Sequence, residues 1–153
     1  MKKQLITLCL TFVFCLTLLV FISSYEKNAN ASAFSDSDIS LLARCVNGEA
    51  RGEPYTGQVA VAAVILNRVK HPSFPNTIPG VIYQPGAFTA TVDGQINVAI
   101  DEDSTVDKAC QDALNGWDPS GGAIYYYNPA KTTNKWIWSR PIITVIGRHN
   151  FAG

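Results

Sequence analysis

The sequence predicts a mainly α domain, α+β at most, with long ordered loops and little sheet. Three observations carry that expectation. Apolar residues recur at helical spacing in three stretches, near 38–47, 56–70 and 104–114. Residues 71–103 are dense in Pro, Gly, Asn and Thr, which breaks regular structure into loops. Only two short runs, near 123–127 and 142–146, read as extended. With 153 residues the chain has room for one ordinary domain.

The N-terminus reads as a targeting segment. Met1-Lys2-Lys3 is positive, and Leu5 to Ile22 is an almost unbroken apolar run. Ala29-Asn30-Ala31 is a small-x-small site of the kind signal peptidase cleaves. Residues 1–31 are therefore a signal peptide or, uncleaved, an N-terminal anchor long enough to associate with a membrane. Residues 32–153 are the functional domain, and either outcome places it outside the cytoplasm.

The first helix starts at Ser35, Asp36 or Ser37, any of which can cap it. Ile39, Leu42, Ala43 and Val46 give it one apolar face, and Asn47-Gly48 predicts its stop or a kink. A second helix runs from Thr56 or Gly57 to about Lys70. Apolar residues surround it, which makes it central. A short helix is expected near Ile78–Tyr83. Ser104 caps a third long helix to Leu114, with Asp107 completing a capping box in place of Glu. Asn115-Gly116 ends it. Ala123–Tyr127 is a short strand or buried extended segment, residues 128–141 form a loop, and Ile142–Ile146 is extended.

Composition excludes several functions. Apolar residues make up 47% and charged residues 16%, so the chain is not disordered. Formal net charge is zero, which argues against a nucleic-acid partner. Two histidines are too few for a His-rich metal centre. Asp101-Glu102-Asp103 with Asp107 lacks the glycine and terminal glutamate of a calcium loop and reads as a helix-dipole partner. No metal and no cofactor is expected. Cys45 and Cys110 remain after residues 1–31. A bridge would close a loop of about 66 residues and contribute ~4 kcal/mol. The apolar helical surroundings of both favour two free buried thiols.

Glu49 is the most informative residue. It follows the Asn47-Gly48 break at the end of an apolar helix, with Glu53 four residues on and Arg51 between them. A carboxyl group partly desolvated at a cleft can donate a proton near neutral pH. On spacing alone the favoured reading is a pair of solvated charges in a helix–helix turn, with Glu49 or Glu53 paired to Arg51. Tyr125, Tyr126, Tyr127, Trp136, Trp138 and Phe151 crowd the C-terminal end beside Asn128 and Asn134. Rings and amides of this kind suit a sugar groove as well as a core. Cys45 with His149 could form a thiol peptidase pair, but no motif surrounds Cys45.

Four ordered blocks add to this. Leu42 to Val69 holds Asn47-Gly48-Glu49-Ala50-Arg51-Gly52-Glu53-Pro54. Gln84–Thr89 is followed by Asp93–Asn97. Gly121–Pro129 contains the three tyrosines, and Trp136–Pro141 precedes Ile146–Phe151. Together they resemble the SleB/CwlJ family of cell-wall hydrolases, the spore cortex-lytic enzymes, over roughly residues 36–153.

The resemblance implies a small lysozyme-like fold related to lytic transglycosylases. It implies cleavage of the β-1,4 bond between N-acetylmuramic acid and N-acetylglucosamine in spore cortex peptidoglycan, with recognition of muramic-δ-lactam, during germination. The family's catalytic glutamate carries over onto Glu49, and Glu53 is the second candidate acid. Phe88, Thr89, Tyr127, Asn128 and Trp136 are expected to line the groove, and Arg140 and His149 to orient the substrate or fix a loop. The partner is the peptidoglycan glycan strand; related enzymes often have an accessory membrane protein. A silent peptidoglycan-binding module and a thiol peptidase on stem peptides are the alternatives.

Overall fold

The computed structural model of the chain describes residues 34–153 together with residue 15. The rest of the segment read as a signal peptide or anchor lies outside the described residues. Among the described residues no helix is long and apolar enough to cross a membrane.

Helix α1, Asp36–Ala50, begins at Ser35, whose hydroxyl accepts from the Asp38 N–H while the Asp38 carboxylate accepts from the Ser35 N–H. This is a capping box with Asp as its acid. The helix does not stop at Asn47-Gly48. It continues one further turn to Ala50, because Gly48 serves a close approach and not a break. A Cβ there would lie 2.6 Å from the Cβ of Ala90.

Helix α2, Tyr55–Lys70, is the centre of the fold, with Val59 to Leu66 buried without interruption. Small residues on several of its faces let neighbours pack all round it. Helix α3, Ile78–Ile82, is one short turn capped by Thr77. Helix α4, Thr105–Leu114, starts at Ser104, whose hydroxyl accepts from the Asp107 N–H. The expected box there is only half formed. The Asp107 carboxylate accepts instead from the N–H of Asp103, which sits at φ 62°. Three 3₁₀ turns, Thr89–Thr91, Gln95–Asn97 and Ile137–Ser139, punctuate the loops.

A small antiparallel sheet closes one side. Strands β1, Tyr125–Tyr127, and β2, Ile142–Ile146, flank a central β3, His149–Ala152. Tyr126 pairs with Phe151, and Ile146 with His149. The third strand escapes a pattern-based reading because it does not alternate: His149, Phe151 and Ala152 are all buried. Gly147-Arg148 makes the two-residue turn between β2 and β3, with Gly147 at φ 58°, as a hairpin with Gly at its first central position requires. The architecture is thus mainly helical with one three-stranded sheet, as the α+β expectation states. The core runs from Leu42, Cys45 and Val46 through α2 to Ala109, Cys110 and Phe151.

Candidate active site

Glu49 lies on the last turn of α1, and its two oxygens are held from two other elements. Oε1 accepts from the Ala90 N–H at 2.9 Å, on the 3₁₀ turn Thr89–Thr91. Oε2 accepts from the Tyr126 hydroxyl at 3.0 Å, in the middle of β1. The missing Cβ of Gly48 lets the 3₁₀ turn come close enough to present that N–H. Burial and the nearby Glu49 charge push the Tyr126 phenol well above its ordinary range. It therefore stays protonated and serves as a fixed hydroxyl.

The carboxyl opens onto a groove of about 660 Å³. Thr89, Tyr127, Asn128 and His149 line it, together with Glu49 and Glu53. The Tyr127 hydroxyl accepts from Asn150 Nδ2 at 3.2 Å. Asn128 Oδ1 accepts from the Ala130 N–H, which leaves its amide nitrogen for the groove. The His149 ring lies against Tyr126 at 5.1 Å, and its Nδ1 makes no hydrogen bond. Burial lowers its pKa below the ordinary value against the pull of Glu53 and Glu49, so the imidazole is neutral at pH 7.

Two residues expected to line the groove, Phe88 and Trp136, and Arg140, expected to orient the substrate or fix a loop, lie outside it. Phe88 is 3% exposed and faces the core, where its ring lies under the Arg68 guanidinium at 5.2 Å. An aromatic beside the 3₁₀ turn reads as a sugar platform in sequence, but the turn directs it inward. Trp136 and Arg140 stack on each other at 4.4 Å, with Tyr125 edge-on to Trp136 at 5.1 Å. That stack does not line the groove.

Glu53 is placed as a clamp. It is 8% exposed. Its Oε2 accepts from the Arg148 N–H at 2.9 Å and its Oε1 from Arg148 Nε at 2.7 Å. Arg148 Nη2 also donates to the Gly52 carbonyl. The β2–β3 turn is thereby fastened to the α1–α2 corner. Burial pushes the Glu53 carboxyl up, but the two Arg148 hydrogen bonds and the adjacent charges outweigh it, and the net pKa is lowered. An ionised, doubly bonded carboxylate is poorly suited to act as an acid.

Tyr126, Arg68 and Asp93 are groove residues that sequence reasoning missed. Tyr126 was one of three consecutive tyrosines, and alternation alone could not say which of them faces Glu49. Arg68 is buried in the last turn of α2 and donates through Nε to the Ile124 carbonyl at 2.7 Å. Asp93 sits exposed at the groove's edge, its carboxylate held below the usual range chiefly by the Gln95 side chain. Among the described residues no cluster of His, Cys, Asp and Glu could hold a metal ion. Cys45 and Cys110 are free and buried, as the sequence favoured.

A helix end, a loop N–H and a tyrosine hold the Glu49 carboxyl at the wall of an open groove in a small helical domain, the arrangement of a general acid–base site. Comparison with known proteins narrows the class. The cell wall hydrolase family model matches residues 52–152, beginning three residues after Glu49. The chain belongs to that family. It is 60% identical over 127 residues to a spore cortex-lytic enzyme of Bacillus cereus, covering 82% of this chain and 48% of that protein. The chain thus spans about half the length of that relative. The catalytic domain of the Bacillus cereus SleB protein superposes with a TM-score of 0.74 at 60% identity, over 78% of this chain and 92% of that one. The catalytic domain of the germination-specific lytic transglycosylase SleB from Bacillus anthracis gives a TM-score of 0.74 at 59% identity, over 78% and 97%.

Proposed function

We propose that this chain is a peptidoglycan lytic enzyme that cleaves the bond between N-acetylmuramic acid and N-acetylglucosamine as a lytic transglycosylase. Its substrate is spore cortex carrying muramic-δ-lactam, and it acts outside the cytoplasm during germination. The observation that carries the reading is the Glu49 carboxyl, clasped by Ala90 and Tyr126 at the wall of an open groove. The identity with spore cortex-lytic enzymes supports the substrate class.

Glu49 acts twice. Protonated, it gives its proton to the glycosidic oxygen as the C1–O bond breaks and an oxocarbenium-like centre forms at muramic C1. The resulting carboxylate, with the Ala90 N–H and Tyr126 O–H donating to it, then takes the proton of the muramic 6-hydroxyl. O6 bonds to C1, a 1,6-anhydro ring closes, and the carboxyl is protonated again. No water is consumed and one carboxyl suffices. Glu53, engaged by Arg148, is not needed as a second acid.

Asp93 on the same groove supports a second reading, in which it activates water and the outcome is hydrolysis with paired carboxylates. Mass spectrometry of fragments released from purified cortex and vegetative peptidoglycan separates the two. Anhydromuramic ends from the wild type, lost in Glu49→Gln and retained in Asp93→Asn, are the expected result. Reducing muramic ends lost in Asp93→Asn would establish hydrolysis. Unchanged products from Glu49→Gln would overturn the assignment of the acid.

A further inference from the structure

A second groove, about 390 Å³, opens beside the first. Arg51, which caps the C-terminus of α1, lines both. The two clefts therefore meet at one exposed residue, Arg51, and a branched ligand could follow both.

The linings differ in kind. The first groove carries tyrosines and a histidine, the flat faces that sugar rings need. The second has no aromatic ring. Its walls are Asn47 and Gln58, Ser104 and Thr105, the apolar Val98, Ile100 and Val106, and one acid, Asp101, which suits the amino group of a peptide as Arg51 suits its carboxylate. Such a surface matches peptide: small apolar side chains against the valines and isoleucine, and backbone amides against the polar groups.

Gln58 points to the polarity of the missing partner. It is 5% exposed, and its Nε2 donates to the Glu53 carbonyl at 3.1 Å. Its Oε1 is buried with no hydrogen-bond partner, on a residue that lines the groove. A buried acceptor without a donor is costly, which makes such an atom unusual in a native fold. The last torsion of a glutamine side chain is broad, so a modest rotation turns this oxygen to an N–H arriving from the groove. At the fork, Arg51 has no ion pair within salt-bridge distance among the described residues and offers a partner for carboxylate.

An N–H donor, a small apolar side chain and a carboxylate, branching from a glycan, are together the features of a peptidoglycan stem peptide. We infer that the second groove is a stem-peptide subsite, which receives the peptide of a muramic residue while its glycan strand occupies the first groove. The inference rests on the proposed substrate. It adds that the enzyme reads the peptide as well as the sugar.

The test compares glycan strands carrying their peptides with the same strands stripped by an amidase, using the full chain. The wild type is expected to cleave the peptide-bearing strands with kcat/KM about tenfold higher, the scale of one or two added polar contacts. Gln58→Met and Thr105→Trp are each expected to bring that ratio to about one. Thr105 is exposed at the start of α4, so the tryptophan obstructs the groove without entering the core. A wild-type ratio near one, or a ratio that survives Thr105→Trp in a folded protein, overturns the inference. A wild type that cleaves neither strand overturns the proposed function instead. Titration with free alanyl-glutamyl-diaminopimelate then decides separately: shifted amide resonances over Val98–Val106 support the peptide site, and unmoved ones remove it.

Discussion

The Tyr126 hydroxyl donates to Oε2 of Glu49 across 77 residues of sequence at 3.0 Å, from the centre of a strand to the end of a helix. The other carboxylate oxygen is already committed to the Ala90 N–H, a group that can only donate. The Tyr126 hydroxyl donates as well, which leaves the Glu49 proton free to face the glycosidic oxygen and stabilises the carboxylate once that proton has gone, so Tyr126 supports both halves of the reaction.

Removing that hydroxyl leaves the ring against His149 and Phe151 and takes away one hydrogen bond to a charged group. Such a bond is worth about 1.5–3 kcal/mol, or about ten- to a hundredfold in rate. Tyr126→Phe is expected to lower kcat by that factor with little change in KM. Steady-state kinetics on a soluble fragment would sink the idea by showing an unchanged kcat.

Gly48→Ala sets two effects against each other. Alanine is better than glycine in a helix interior by about 1 kcal/mol. Its Cβ would meet Ala90 Cβ at 2.6 Å and Gln95 Cβ at 3.1 Å, and overpacking of this kind costs about 1–3 kcal/mol. The clash is with a main-chain turn and not a flexible side-chain end, so the cost prevails. The variant is expected to melt a few degrees lower and to lose activity beyond what its stability explains, because the Ala90 N–H is pushed off Glu49. A melt at or above the wild-type temperature, with full activity, would show that the turn yields freely.

The helices were legible because their apolar spacing, caps and stops are local. Ser35, Ser104 and Asn115-Gly116 mark ends by chemistry within one turn of the chain. Gly48 was misread because a glycine permitting close approach and a glycine ending a helix look alike without the partner, here Ala90. The third strand was hidden for a related reason. Its alternation is erased by burial on both faces, and its signal lay in the turn Gly147-Arg148. Glu49 stood out as a candidate, but its partners Ala90 and Tyr126 are long-range neighbours that no spacing rule contains. Phe88 and Trp136 failed as groove residues because aromatic composition does not say which way a loop turns its rings.

The Glu53–Arg148 clamp makes a pH-dependent prediction. The folded pKa of Glu53 is lowered. Its stabilisation is therefore fully present above the unfolded value of about 4.3 and is lost as pH falls through the folded value. His149 is also lowered. Its neutral form is favoured on folding, so stability falls earlier as pH drops below about 6.5, where the unfolded chain takes up the proton first. Denaturant melts of the wild type are expected to show both losses. Glu53→Gln should cost about 2–3 kcal/mol at pH 7 as charge-assisted bonds are lost, and should flatten the loss below pH 4.3. Because the Glu53 charge raises the pKa of His149, the His149 resonance in that variant should titrate at lower pH than in the wild type. An upward shift would contradict the assigned coupling.

The thiols bear on the competing peptidase reading. Cys45 and Cys110 are both fully buried and unbridged. Burial is the main cause that pushes each thiol far above its ordinary pKa, with the Glu49 charge adding to the effect on Cys45. A nucleophilic cysteine needs the opposite: an exposed sulfur and a lowered pKa, from a neighbouring imidazolium or a helix N-terminus. Cys45 lies in mid-helix, and His149 is neutral and packed on Tyr126. Iodoacetamide is therefore expected to leave cleavage of peptidoglycan unchanged. Peptide mapping should find Cys45 and Cys110 unmodified until denaturant is added, and modified at once thereafter. Rapid labelling of Cys45 in the folded protein with parallel loss of activity would return the thiol to the reaction and displace Glu49 from its centre.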